Sequence, residues 1–589
     1  MRPSASALGL LAALCAGWTL VAGKDLNWDL LNYHYYAPFQ LLEGRLQQDF
    51  FAASAQSYLN PLGYVPFYLM VASGWHSVVV SVLFALAHGT SLALLYAIAA
   101  RLFAHLPQRD RTAMSWLATA LGAASAVFWA TVGTSFLDPL LVPLMLAGLL
   151  FLLRLERPLL AGMLFGAAVA LKYSNAIFAL AALALAFLAG RRAVALYAAG
   201  GATAVALLAG PWMALMLLEF GDPLFPGVSA GGGRFAPQDL LSALLFPFRM
   251  VVLDRSLYSE MFAPDIRFAG LVLFAAALPV FRRGLRSEDW RLLGFFAVAY
   301  VLWLATSANG RYGMLLLLLA GVCLARIAAE VLPLRIARIA LGVLLLAQVA
   351  ACVVAAHPRW FIAEPWSKRW FPYEVPERAL REPALYLTLE TLPMAVLAPF
   401  VHPGSSFANL RGQRSLAPDA PRLVALLERH RGRVRVLGRT LELADGKPPP
   451  DQVRAYDGTL SRLGYRVDAA DCFTIAWRRD DGDALSRAAN WLSRTPPSSE
   501  PLSVGSCALL PAPRDPAREK RERQASALFD RIEKACPQIF RGHTAVTEPL
   551  GGGWARHYVD LDARLEAFGD RVVLNRYRAG EAVDLSHCR

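Results

Sequence analysis

The chain has 589 residues, 56% hydrophobic and 17% charged, with a formal net charge of +13. With a mean hydropathy of +0.40, it carries more apolar sequence than a soluble protein of that size buries, which excludes a purely soluble class. The positive charge fits arginines in loops facing anionic lipid; without a basic-aromatic module it does not indicate a nucleic-acid partner.

Residues 5–22 form an apolar segment after Arg2. A basic start and the small Val21-Ala22-Gly23 would also suit a signal peptide, but an uncleaved first span is preferred because many more spans follow. Next comes Lys24-Asp25-Leu26-Asn27-Trp28-Asp29-Leu30-Leu31-Asn32-Tyr33-His34-Tyr35-Tyr36. Ionisable groups are scarce in so apolar a chain, and those at the boundary of a membrane helix are functional candidates. If this stretch is helical, Asp29, Asn32, Tyr33 and Tyr36 share one face. A polar-aromatic loop runs from 24 to 60. Asn60-Pro61-Leu62-Gly63 then breaks the chain before an apolar piece, 62–75, too short for an ordinary span and read as interfacial or re-entrant.

Further apolar segments lie near 78–100, 112–135 and 138–153. Residues 159–190 are interrupted at Lys172-Tyr173-Ser174-Asn175 and read as two short helices. Another segment covers 193–217. A second long loop, 219–266, carries a glycine run at 231–233. Segments near 268–281, 290–307, 313–329 and 338–356 follow. The expected fold is a polytopic α-helical membrane protein of about 11 transmembrane helices, residues 1–356, with a C-terminal soluble domain, 357–589.

The arginines orient it. With the N-terminus inside, the loops holding Arg101, Arg109 and Arg111, Arg154 and Arg157, Arg191 and Arg192, Arg282, Arg283 and Arg286, and Arg326, Arg335 and Arg338 all fall on the cytoplasmic side. The 24–60 and 219–266 loops and the tail then share the outer side, which makes the tail periplasmic. The tail alternates helix-like runs (421–430, 525–534) with strand-like runs (433–437, 473–477, 571–574), predicting an α/β or α+β domain. The Pro- and Ser-rich 494–524 reads as an exposed loop. Cys472, Cys507, Cys536 and Cys588 lie in the tail, an even number that an oxidising compartment allows to form two disulfides. Cys15, Cys323 and Cys352 lie in apolar segments and read as inert core thiols.

Four outer-side features can do chemistry: the Lys24–Tyr36 stretch, Asp138 before Pro139, Lys172, and Asn309-Gly310-Arg311-Tyr312. Carboxylates with fixed cations suit transfer from a phosphorylated donor. A carboxylate takes the acceptor's proton, while Arg and Lys hold the departing phosphate. Each has a plainer alternative. Asp29 or Asp138 can be a helix cap, His34 an interfacial hydrogen-bonding residue, Lys172 a snorkelling side chain and Arg311 an interface anchor. Arg249, Arg255 and Arg267 in the second loop are weaker phosphate candidates.

The order of these features resembles the GT-C superfamily of membrane glycosyltransferases, which includes protein O-mannosyltransferases and aminoarabinose transferases. An acidic motif (Asp29) follows the first span, Pro61-Leu62 precedes the second, and Asp138-Pro139 opens a later one. Lys172 follows a Gly-containing helix and Arg311-Tyr312 a late span. The chain departs from the family's frequent Asp-Glu pair, since Leu30 follows Asp29. The resemblance implies inverting transfer of a sugar from a polyprenyl-phosphate-type carrier to an acceptor hydroxyl, at the outer face of a bacterial inner membrane. It gives Asp29 the role of base and makes Asp138 a second acidic residue of the site. Lys172 and Arg311 become phosphate contacts, with Tyr312, His34 and Tyr33 beside the substrate. The implied partners are a lipid-linked sugar donor, a glycan, lipid or protein acceptor, and membrane lipids. No metal-ligand cluster is apparent, and the cofactor stays unknown, with a divalent metal left open. The alternatives are a transporter or flippase for a lipid-linked glycan, which would be expected to show internal repeats that are not evident here, and a non-enzymatic membrane assembly protein.

Overall fold

The computed structural model of the protein describes residues 5–227, 235–237, 239–281, 284–355, 357–411, 416, 418–513, 516–537, 539–540, 547–550, 553–558, 563–569, 571–576 and 581–588. The glycine run 231–233 and Arg282 and Arg283 lie outside them. The chain forms two compact units that interleave in sequence. Unit 1 comprises Met1–Asp25, Trp75–Trp366 and Ala484–Pro496; unit 2 comprises Leu26–Gly74, Ser367–Asp483 and Pro497–Arg589. The expected division at 356/357 thus falls ten residues before the chain leaves unit 1 at Trp366, and the 26–74 stretch groups with the C-terminal chain.

Along the chain, α1 (Ala5–Ala22) is followed by β1 (Lys24–Leu26), a π-helical turn at Leu30–His34, α2 (Tyr36–Leu42) and α3 (Val65–Ala72). Then come α4 (Ser77–Leu102), α5 (Gln108–Ala123), α6 (Ala126–Thr131), α7 (Leu137–Leu153), α8 (Pro158–Leu171), α9 (Ala176–Leu188), α10 (Arg191–Leu208) and α11 (Gly210–Phe220). After these run α12 (Leu240–Arg249), α13 (Ile266–Phe281), α14 (Ser287–Thr306), α15 (Met314–Val331) and α16 (Leu334–Val354). Among the described residues, α4, α14, α15 and α16 are long and apolar enough to cross a membrane, and α10 with α11, bent by 59° at their junction, makes a fifth if counted as one span. The expected 112–135 segment is instead two helices, α5 and α6, because Ser125 stops the first and caps the second, its hydroxyl accepting from Phe128 N. The second loop is less bare than its sequence suggested. It contains α12, which turns Leu240, Leu241, Leu244 and Leu245 outward and buries Phe246 and Pro247.

Within unit 1, α15 is the buried axis, with all its residues but Ala329 enclosed. Its glycine lets α5 approach closely: a Cβ on Gly321 would lie 2.0 Å from Gly122 N. By contrast, α16 exposes Ile336, Ile339, Val343, Leu346 and Val353 along one face, the pattern of a helix meeting lipid. Arginines from distant loops gather at one end of the helices. Arg101 pairs with Glu288 and Arg338 with Asp110. Arg326 binds Asp289 at 2.9 Å and Glu330 at 3.1 Å, and Arg291 donates to the carbonyl of Leu153 at 2.7 Å. The opposite ends of α7 and α15 carry Asp138 and, just before α15, Arg311. Over its 18 residues, α15 rises about 27 Å, close to a hydrocarbon core.

Strand β2 (Ile362–Glu364) pairs with β1 in a two-stranded sheet. Unit 2 holds a six-stranded mixed sheet of order β3-β7-β8-β6-β4-β5 and a five-stranded antiparallel sheet of order β13-β12-β11-β10-β9. In the first, β4 (Leu385–Thr388) lies between β5 (Ser406–Asn409) and β6 (Val434–Gly438), parallel to both. β3 (Tyr373–Glu374), β7 (Tyr465–Trp477) and β8 (Val504–Pro511) pair antiparallel. The second contains β9 (Thr547–Leu550), β10 (Gly553–Tyr558), β11 (Ala563–Phe568), β12 (Arg571–Arg576) and β13 (Glu581–Asp584). Parallel and antiparallel pairs with segregated helices make unit 2 α+β. The expected exposed loop over 494–524 is corrected. It contains β8, an interior strand whose Val504, Gly505, Ser506 and Cys507 are buried, and the start of α21 (Pro516–Ala535). Pairing with strands on both sides outweighs the local Pro and Ser content. The tail cysteines form two disulfides, Cys472–Cys507 across β7 and β8 and Cys536–Cys588, while Cys15, Cys323 and Cys352 are free.

The 26–74 stretch is tied into unit 2 by a buried ion pair. Asp49 accepts from Arg45 Nε and Nη2 at 2.9 Å each, from Phe407 N at 2.9 Å and from Tyr36 OH at 3.0 Å. Arg45 also donates to the carbonyls of Pro403 and Ser405 at 2.8 and 2.6 Å. Both side chains are buried, so removing one partner strands the other's charge. Arg45→Ala should destabilise unit 2 by about 3–5 kcal/mol, read as a lowered unfolding midpoint of the purified full chain. Burial, aided by Arg433 and Arg429, pushes the His430 imidazole down to about 4, so the folded chain keeps it neutral while the unfolded chain protonates it near 6.5. Its contribution is present above about pH 6.5 and is lost as pH falls towards 4. His430→Gln should therefore flatten the acid slope of the unfolding midpoint in that window by roughly one proton.

Candidate functional site

The candidate residues divide between the units. In unit 1 the group is built around Asp138, in the first turn of α7, where the helix dipole favours a carboxylate. Helix α8 stops at Leu171. Lys172 adopts an extended backbone, and Asn175 turns back to donate to the carbonyl of Ala168 at 3.0 Å. The Lys-Tyr-Ser-Asn interruption is thus a capped helix end, and it releases Lys172 towards α7. Lys172 Nζ lies 2.6 Å from Asp138 Oδ1 and 4.7 Å from the ring centre of Tyr312. Asp138 is 5% exposed, and its Oδ2 is buried without a hydrogen-bond partner among the described residues. A buried carboxylate oxygen in that state costs free energy and is a natural acceptor for a substrate hydroxyl. The turn before Asp138 is held from several directions. Trp18 Nε1 donates to Trp129 O at 2.7 Å, Thr19 Oγ1 to Val132 O at 3.1 Å, and Gly133 N to His88 Nδ1 at 3.0 Å.

Arg311 joins the same group. Asn309 Oδ1 accepts from Arg311 N at 3.0 Å, Trp303 Nε1 donates to Asn309 O at 2.8 Å, and Gly310 N donates to Tyr258 O at 2.6 Å. Glycine is required at 310, where a Cβ would lie 2.8 Å from the Tyr258 ring. The Arg311 guanidinium is centred 4.5 Å from the Phe136 ring, 5.1 Å from Trp360 and 6.0 Å from Tyr312. Asp138, Lys172, Arg311 and Tyr312 are therefore brought together. Sequence reasoning missed Phe136, Glu260 and Trp360. The only signals were an isolated carboxylate in the second loop and an aromatic in the connector after α16.

Of the weaker candidates, Arg267 is spent on structure. It binds Asp265 Oδ1 at 2.8 Å and donates to the carbonyls of Leu121 and Gly122 at 2.7 and 2.8 Å, closing the end of α5. Arg249 and Arg255 are exposed, and Arg255 lies over the Phe262 ring at 5.4 Å.

In unit 2, Asp29 is 9% exposed and precedes the π-helical turn. Its side chain does not cap that turn; Asn27 Oδ1 does so by accepting from Leu30 N at 2.8 Å. The cap reading of Asp29 is thereby removed. The wider π turn also alters the expected α-helical face. Asn32 Nδ2 donates to Gln56 at 3.2 Å and Tyr36 to Asp49, while Tyr33 packs edge-on to Tyr64 at 5.6 Å. His34 stacks on Tyr64 at 4.3 Å. Single π turns inside helices recur at functional sites. Among the described residues, the grouping able to gather three metal ligands is Cys536, His587 and Cys588, whose two sulfurs are joined in a disulfide.

Residues 62–307 match the family model described as Glycosyltransferase family 87. The match includes Asp138 and Lys172, ends before Arg311, and spans less than half of the chain. It supports a membrane glycosyltransferase of the GT-C type, the group that the motif order resembles. No curated protein matches the chain. Among solved structures, the chain is similar to the crystal structure of ArnT from Cupriavidus metallidurans bound to undecaprenyl phosphate, at 12% identity and a TM-score of 0.47, over 80% of this chain and 96% of that one.

Proposed function

We propose that the chain is an inverting glycosyltransferase that moves a sugar from a polyprenyl-phosphate carrier to an acceptor hydroxyl at the outer face of a bacterial inner membrane. The observation that carries this reading lies in unit 1. A buried carboxylate with an unpartnered oxygen, an ammonium and an aromatic-caged guanidinium converge there, in a chain whose residues 62–307 match a glycosyltransferase family. The acceptor oxygen attacks the anomeric carbon opposite the phosphate. The carbon–oxygen bond to phosphate breaks as the glycosidic bond forms, and the electron pair stays with the carrier phosphate, where Lys172 and Arg311 neutralise it. The acceptor's proton passes to Asp29 as base. Asp138 orients Lys172 and offers Oδ2 to a substrate hydroxyl, with Tyr312, Tyr33 and His34 as further substrate contacts.

The chain is proposed to cross the membrane about eleven times, with its helices supplying the apolar surface. The two tail disulfides fit an oxidising compartment, which favours a periplasmic position for the tail. The carrier is the lipid-linked donor; the acceptor is a glycan, lipid or protein.

Asp29→Asn should lower sugar transfer from a polyprenyl-phosphate donor by about 10²–10⁴-fold while carrier binding is kept; full transfer by this variant removes Asp29 as the base. Lys172→Met should weaken binding of a polyprenyl monophosphate by roughly tenfold, the scale of one charge-assisted hydrogen bond, read by titration of the detergent-solubilised protein. Unchanged binding removes Lys172 from the phosphate site.

A further inference from the structure

Arg311 is enclosed by a small assembly to which no role has yet been given. The carboxylate of Glu260, from the second loop, accepts a hydrogen bond from Trp360 Nε1 on its Oε2 at 2.7 Å. That same oxygen lies 4.0 Å from Arg311 Nη2. A direct guanidinium–carboxylate contact would close to about 2.7–2.9 Å, so Glu260 stands roughly 1 Å short of one. Trp360 meanwhile lays its ring beside the guanidinium and packs edge-on to Phe136 at 6.1 Å. Its own position is fixed by its neighbour. Arg359, 2% exposed, donates to Gly23 O at 2.8 Å through Nε, to Val132 O at 2.6 Å and to Thr19 O at 3.1 Å. The chain leaving α16 is therefore pinned beside the turn that leads to Asp138.

We infer that Trp360 and Glu260 are positioning residues for Arg311: the Trp360 indole N–H holds the Glu260 carboxylate back from the guanidinium, so that Arg311 remains able to bind an anionic lipid phosphate. An arginine in full bidentate contact with a carboxylate has its charge and donors taken, and an incoming phosphate must displace that partner. An arginine with no carboxylate nearby is costly to hold in an aromatic enclosure. A carboxylate tethered just out of reach lowers that cost while leaving the donors for the ligand. This inference rests on the reading of Arg311 as a phosphate contact.

The test is a double-mutant cycle on the full chain in detergent, read by titration with a polyprenyl monophosphate. Trp360→Phe keeps a ring beside Arg311 but removes the N–H, freeing Glu260 to close on the guanidinium. It should weaken binding by roughly tenfold, the scale of one charge-assisted hydrogen bond. Adding Glu260→Gln to Trp360→Phe should restore binding to within about twofold of wild type, because the competing anion is gone. Glu260→Gln alone should bind at least as tightly as wild type, and this variant keeps the inference testable if Trp360→Phe fails to fold. Wild-type binding by Trp360→Phe, a double variant as weak as the single, or weaker binding by Glu260→Gln alone would each overturn the inference. Arg311→Ala separates it from its premise: if that variant binds the carrier normally, the phosphate role of Arg311 falls; if it loses binding while the cycle shows no restoration, only the role of Trp360 and Glu260 falls.

Discussion

The ion pair between Lys172 and Asp138 is the constraint around which unit 1 is arranged. In so apolar a helical unit, a buried carboxylate and a buried ammonium are each expensive and are tolerated together. For them to meet at 2.6 Å, α8 must end at Leu171, its last carbonyls must be capped, and α7 must start with its acidic residue in the first turn. The anchors on the 129–133 turn set where α7 begins. The Arg311 turn, braced by Trp303 and Tyr258, then adds a second cation beside Tyr312. The charged network of Arg326, Asp289 and Glu330 neutralises the other end of the same helices, which leaves the Asp138 end as the place where a polar oxygen lacks a partner.

Much of this was legible because membrane sequence is governed by few rules. Apolar length marked most of the helices, and the polar interruption at 172–175 marked a real break with a real side-chain role. Asp138, Lys172, Arg311 and Tyr312 stood out because charged or hydrogen-bonding groups in an apolar chain need a reason to be there. The even number of tail cysteines likewise foretold pairing, though not which cysteine pairs with which.

What was not legible depended on contacts remote in sequence. Nothing local to Asp49 announces that its partners are Arg45 and the Phe407 amide, 358 positions away, so the 26–74 stretch read as a loop rather than as part of the C-terminal unit. The 504–511 strand was hidden by flanking prolines and serines, since pairing on both edges overrides local preference. Trp360 and Glu260 carry no motif; only the folded geometry shows them meeting at Arg311. The π turn after Asp29 shifted a face that a regular helical repeat would have placed otherwise.

The interleaving of the two units has a consequence for biosynthesis. Residues 26–74 emerge early from the ribosome, yet the strands and carbonyls that complete their unit are made last. At about 5–20 residues per second, Arg45 and Asp49 wait some tens of seconds for Phe407 and its neighbours, while the intervening helices are inserted. During that interval the segment holds a charged pair and an aromatic cluster without the sheet that encloses them. The nascent chain is thus obliged to store an unfinished piece of its last-formed unit, and a stop anywhere before the tail leaves that piece with nothing to fold against.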